Sequence, residues 1–79
     1  MTPAQCREAR LLIGWSKIAL AEAAILSFST IHRFEAKGAV LSSGLLIDIQ
    51  RALEAGGVEF IAENGGGPSV RRRKADVTS

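Results

Sequence analysis

Cysteine and histidine are nearly absent from this chain, which has one residue of each, Cys6 and His32. A single cysteine excludes an internal disulfide, and the two residues together are too few for a His/Cys metal cluster. We therefore expect no metal and no other cofactor. Cys6 is interpreted as a small buried apolar residue rather than a reactive thiol.

Long apolar runs and catalytic groupings are also lacking. No stretch approaches the ~18 apolar residues of a membrane-spanning helix, and no secretory signal pattern opens the chain. We therefore expect a cytoplasmic protein that does not contact a membrane. The sequence has no paired carboxylates and no Ser/His/Asp or Cys/His set, and His32 has no evident catalytic partner, so we expect no enzyme activity.

The composition is that of one small folded domain. A hydrophobic share of 47% in 79 residues argues against disorder. A chain of this size buries only roughly 60% of its unfolded surface, so its stability is marginal. The net charge of +2 is unevenly distributed, because residues 1–40 and 65–79 are basic and residues 41–64 are acidic. Two basic zones suit a polyanionic partner, although a charge run is more often only a solvated face.

Helix signals open the chain. Thr2, Pro3 and Gln5 match a capping box with proline at the first helical position, and Gly14 ends this first helix. Trp15 stands just before the next cap, where we expect it to pack in the core against Leu20.

The stretch from Ser16 to Lys37 has the pattern of two short helices separated by a tight turn. Ser16 and Ser27 each precede a helical pattern as candidate N-caps. Inward positions of the two helices are Leu20, Ala21, Ala24, Ile31 and Phe34. This pattern predicts a helix-turn-helix whose second helix presents Phe28, Ser29, His32 and Arg33 outward.

The rest of the chain predicts one more helix and a hairpin. Leu46, Ile49 and Leu53 define a helix that starts at Ser42 or Ser43. Residues 58–63 alternate as a strand, residues 64–68 are typical of a turn, and residues 69–73 are a candidate return strand. We thus expect a mainly α fold: a compact bundle of four to five helices over residues 1–57, a C-terminal β-hairpin or strand with a basic arm over 58–74, and a disordered tail over 75–79.

These residues resemble the Cro and phage-repressor-like helix-turn-helix family of bacteria and phages. The resemblance covers Gln5 to about Phe60, and its core is S-x-S-T-I-x-R-F-E, spaced correctly after G-W-S and L-A-x-A-A. It implies a regulator of transcription, often a repressor, that binds specific duplex DNA as a homodimer on an inverted repeat, at the nucleoid. It also implies an ion pair between Arg10 and Glu35 that ties the first helix to the third.

The resemblance also implies roles for the outward residues. Arg33 is the best candidate for reading guanine, with Phe28, Ser29 and His32 as further base contacts. Candidate phosphate contacts are Ser16, Lys17, Ser27, Thr30, Lys37, Arg71, Arg72 and Arg73. For residues 71–74 three interpretations are open: a phosphate-binding arm, a strand edge protected by charge, or an unstructured solubilising tail.

The sequence departs from the family pattern in three ways. Ile25 occupies the turn position that normally holds glycine, so it either adopts an unfavourable conformation or the turn rearranges. Lys17 replaces the usual glutamine. Ile18, Leu45 and Ile47 are apolar where polar residues are expected, either as scattered exposed residues or as a dimer or partner surface. Ile25, Phe28 and the extra apolar residues leave an alternative open: a helix-turn-helix scaffold that binds a protein, as an antitoxin or antiactivator.

Overall fold

The computed structural model describes residues 1–61 and 69–73. The helices are α1 (Pro3–Leu12), α2 (Lys17–Ala24), α3 (Phe28–Lys37) and α4 (Ser43–Ala55), and the strands are β1 (Val58–Ile61) and β2 (Ser69–Arg72). The expectation of a small, mainly helical domain with a C-terminal pair of strands is confirmed. The turn expected at 64–68 and the disorder expected at 75–79 lie outside the described residues, as does Lys74.

Each helix begins at a hydroxyl side chain that accepts from a backbone amide three residues later. These caps are Thr2, Ser16, Ser27 and Ser42. At α1 the capping box is complete, because the amide of Gln5 donates to Thr2 Oγ1 at 3.1 Å and the amide of Thr2 donates to Gln5 Oε1 at 2.8 Å. The sequence-based starts of all four helices are thereby confirmed, and Ser42 is the cap of α4 rather than Ser43.

One hydrophobic core joins the four helices and the first strand. Its largest fully buried side chains are Leu20, Ile31, Ile49, Leu53, Val58 and Cys6. Full burial of a side chain such as leucine contributes about 1.5–3 kcal/mol. All five inward positions expected for α2 and α3 are buried. Trp15 and Ile13 pack against the core from its edge, whereas Leu12 stays 36% exposed at the end of α1.

The two strands form an antiparallel sheet that lies on the helices. In its register Glu59 pairs with Arg71 and Phe60 with Val70. β1 contacts α4 and β2 contacts α1, and Phe60 and Val70 pack against the core. A two-stranded sheet alone is marginally stable, so the helices supply the support that it needs.

Candidate functional site at helices α2 and α3

The turn between α2 and α3 contains a left-handed isoleucine. Ile25 has φ 58° and ψ 48°. The amide of Leu26 donates to Ala21 O at 2.8 Å and the amide of Ile25 donates to Glu22 O at 3.2 Å, the Schellman arrangement that ends a helix. Of the two alternatives for this position, the structure therefore has the unfavourable conformation. The Ile25 side chain buries little apolar surface that could offset this conformation, because it is 89% exposed.

Helix α3 has a buried face and an open face. Ile31 and Phe34 are buried on the inner side. On the outer side Phe28, Ser29 and Arg33 are exposed and His32 is half-buried. At the start of the helix, Ser27 Oγ accepts from the Thr30 amide at 3.2 Å and lies 2.9 Å from Thr30 Oγ1. The outward placement expected for the four candidate base contacts thus agrees with the structure, while their contact with DNA stays a prediction.

Three outward side chains form a row that links α3 to the start of α2. The rings of Phe28 and His32 are stacked, with centroids 5.6 Å apart and planes inclined by 14°. His32 Nδ1 lies 3.1 Å from Lys17 Nζ. The lysine ammonium can only donate, so the imidazole nitrogen accepts in this contact. Sequence reasoning missed this row, since it depends on how α2 and α3 cross.

Arg33 makes only a weak contact within its own helix. Its Nε donates to the carbonyl oxygen of Ser29 at 3.4 Å, at the long end of hydrogen-bond distances. The guanidinium is exposed and can exchange this contact at little cost.

The candidate phosphate contacts fall into separate groups. Ser16 and Lys17 lie at the start of α2, Ser27 and Thr30 at the start of α3, and Lys37 at the end of α3. The C-terminal arginines lie elsewhere, on or beside β2, which packs on α1. The guanidinium of Arg71 donates to Glu59 Oε1 at 2.7 Å, and Arg73 Nη2 donates to the carbonyl oxygen of Glu54 at 2.8 Å.

The ion pair between Arg10 and Glu35 is confirmed. Arg10 Nε and Nη2 donate to the two carboxylate oxygens of Glu35 at 2.9 and 2.8 Å, and Arg10 Nη1 donates to Trp15 O at 3.0 Å. The hydrogen bond to Glu35 raises the pKa of Arg10. Cys6 Sγ also donates to Glu35, at 3.3 Å.

The interpretation of Cys6 as a buried residue is likewise confirmed. The side chain is 0% exposed. Burial, reinforced by the charge of Glu35 and the hydrogen bond to it, raises the pKa of the thiol from 9.0 to about 12. The thiolate, which is the nucleophilic form, is therefore disfavoured at neutral pH.

Two of the three apolar residues that were expected at the surface are exposed. Ile18 is 58% and Ile47 is 47% exposed, whereas Leu45 is half-buried. Phe28 is 48% exposed despite its stacking on His32. The structure thus leaves apolar area on α2, on the turn at Ile25 and on α4.

The part of the chain that the structure describes, residues 1–61 and 69–73, holds neither a membrane-spanning helix nor a cluster of metal ligands. None of the helices there has the length and apolar character needed to cross a bilayer. Nor do three or more His, Cys, Asp or Glu side chains in that part of the chain come together as metal ligands would. No protein-family model matches the chain, and no curated protein matches it.

Proposed function

We propose that this protein is a sequence-specific, double-stranded DNA-binding regulator of transcription, of the Cro and phage-repressor-like type, acting at the nucleoid in the cytoplasm. In this proposal α2 and α3 are a helix-turn-helix, and α3 enters the major groove. The observation that supports it most is the division of α3 into a buried inner face and an open, hydrogen-bonding outer face. An α-helix with its side chains is about 10–12 Å wide, which suits a major groove of about 12 Å.

Arg33 is the main base reader in this proposal. Its guanidinium has two donors that match guanine O6 and N7, and such a pair is worth about 1–3 kcal/mol of discrimination. Ser29 donates to a neighbouring base, and Phe28 contacts a thymine methyl group. His32 lies at the edge of the groove, oriented by Lys17 and Phe28.

The phosphate contacts come from the helix starts. The first turns of α2 and α3 direct amides and a positive dipole end towards an anion, and Ser16, Lys17, Ser27 and Thr30 lie there. Lys37 extends the contact at the other end of α3.

Arg71, Arg72 and Arg73 are proposed as a separate phosphate-binding arm, and Arg72→Gln is expected to lower the salt slope of binding by about 0.9 per protomer.

The active form in this proposal is a symmetric homodimer on an inverted repeat. Its two copies of α3 lie one turn of duplex apart, about 34–36 Å. The candidate interfaces are the exposed side of α4, which carries Ile47, and the outer edge of β1. The protein acts by binding alone, without a cofactor or a catalytic step.

Selection of bound sequences from a random duplex pool tests this proposal. We expect an enriched sequence with two-fold symmetry and half-sites about one duplex turn apart. A companion titration of mixed-sequence duplex at low and moderate salt should show binding that weakens steeply as salt rises. Failure to bind any duplex at either salt concentration would contradict the proposal.

A second candidate is a protein-binding module, an antitoxin or antiactivator built on the same scaffold. The exposed apolar side chains of Ile18, Ile25 and Phe28 favour it, since a protein partner would cover them. This second candidate predicts that the protein binds no duplex at either low or moderate salt.

A further inference from the structure

A cleft of about 260 Å³ lies where α1, the start of α2 and the end of α3 meet. Its lining consists of Arg7 and Arg10 from α1, Lys17 from α2, and Glu35 and Ala36 from α3. Four of these five residues are charged. Arg7 did not enter the sequence-based set of candidate contacts, because one exposed arginine on a helix has no distinguishing pattern.

The cleft has an excess of positive charge. Glu35 is neutralised by Arg10, which binds both of its carboxylate oxygens at 2.8–2.9 Å. Arg7 and Lys17 remain as the two uncompensated cations of the lining. Within residues 1–61 and 69–73, no carboxylate oxygen lies within 4.0 Å of either side-chain cation. The ammonium of Lys17 has three donors, and its contact with His32 uses one of them.

The cleft adjoins the open face of α3. Ala36 lies three and four residues after Arg33 and His32, so these side chains share one side of the helix. Lys17 lines the cleft and also contacts His32 in the row described above. A duplex whose major groove receives α3 therefore brings its flanking backbone to this cleft.

We propose that the cleft binds one phosphate group of the duplex backbone, with Arg7 of α1 and Lys17 of α2 as its two cations. This inference rests on the proposed function and adds a contact from α1 to it. Arg10 does not bind the phosphate; its ion pair with Glu35 removes the one negative charge that would repel it. The contact carries no sequence information, since phosphates are the same at every base pair.

The test compares Arg7→Gln with Arg7→Lys, which keeps a cation at the same exposed position of α1. Affinity for the selected operator and for mixed-sequence duplex is measured at several salt concentrations. For Arg7→Gln we expect the negative slope of log K against log salt to become less steep, by about 0.9 per bound protomer. We expect operator and mixed duplex to weaken by the same factor, so that specificity is unchanged. Arg7→Lys should keep the wild-type slope, because the cation is retained.

A wild-type slope in Arg7→Gln, in a protein that binds duplex, would overturn this inference and leave the proposed function intact. A wild-type protein that binds no duplex would overturn both. Titration with inorganic phosphate, followed by NMR, tests whether the cleft binds free phosphate instead of a phosphate of the duplex. Saturable shifts at Arg7 and Lys17 in a protein that does not bind duplex would assign the cleft to free phosphate and overturn its assignment to DNA.

Discussion

Arg10 on α1 and Glu35 on α3 are joined by two hydrogen bonds, from Nε at 2.9 Å and from Nη2 at 2.8 Å. The two side chains are only 9% and 2% exposed. A bidentate arginine–carboxylate pair fixes orientation as well as distance. It therefore ties α3, the helix with the open face, to the first helix of the chain.

Removal of one partner should be costly. We expect Arg10→Met to lower the free energy of unfolding by about 3–5 kcal/mol, because the carboxylate of Glu35 is left buried without its cation. Urea denaturation measures this loss, with Arg51→Met as a control at an exposed position of α4. The double variant Arg10→Met with Glu35→Met should be more stable than the sum of the two single changes predicts. Arg10→Met with unchanged stability would show that the pair contributes nothing.

The buried thiol predicts a loss of stability at alkaline pH. In the unfolded chain Cys6 loses its proton near pH 9, whereas in the folded protein its pKa is about 12. Between these values the unfolded state binds fewer protons, so the free energy of unfolding falls as pH rises, by up to about 1.4 kcal/mol per pH unit. The difference in stability between wild type and Cys6→Ala, measured from pH 8 to 11, isolates this contribution. A difference that does not change with pH would contradict the shift.

The turn residue Ile25 should be improvable. The left-handed conformation costs an L-residue about 1–2 kcal/mol, and glycine adopts it without that cost. Glycine also makes the unfolded chain more flexible, which lowers stability by about 0.4–1 kcal/mol. The net expectation is that Ile25→Gly stabilises the protein by about 1 kcal/mol. Thermal denaturation checks the direction. Gly38→Ala is the converse control. Gly38 has φ 65° and open space around it, so we expect the added methyl group to destabilise the protein through the backbone conformation alone. A less stable Ile25→Gly variant would mean that the exposed isoleucine side chain makes a contribution not visible in its contacts.

Gly56 should not tolerate a side chain. A Cβ at this position would lie 2.6 Å from Trp15 Cζ2 and 2.9 Å from Ile13 Cδ1. We expect Gly56→Ala to displace the indole ring, at a cost of about 1–3 kcal/mol. Trp15 is the only tryptophan, so its fluorescence reports the displacement directly. Gly44→Ala, where the nearest atom is 4.0 Å away, should leave the spectrum unchanged. An unchanged spectrum in Gly56→Ala would contradict the close contact.

Local signals in the sequence were sufficient for the helices and the core. The hydroxyl caps act within three residues, so Thr2, Ser16 and Ser27 could be recognised without tertiary information. Helical spacing likewise predicts Ile31 and Phe34 as buried, because one face of a helix packs as a unit.

Contacts between elements could not be predicted in the same way. The contact of Lys17 with His32 and that of Arg73 with Glu54 join residues 15 and 19 positions apart. They depend on helix crossing and on side-chain rotamers, neither of which has a periodic signature. Ile25 shows the limit most clearly, since sequence reasoning identified the conflict at this position without deciding how the chain resolves it.

Binding of the selected operator by Ser29→Ala with Arg33→Ala tests the central claim most directly. The circular dichroism and melting temperature of the double variant are compared with those of the wild type, so that a loss of folding is distinguished from a loss of base contacts. Loss of about 3 kcal/mol of base contacts in each protomer corresponds to an affinity about 100-fold weaker for each half-site, in a protein that stays folded. Operator affinity that is unchanged in the α3 double variant would contradict the claim that the open face of α3 reads DNA.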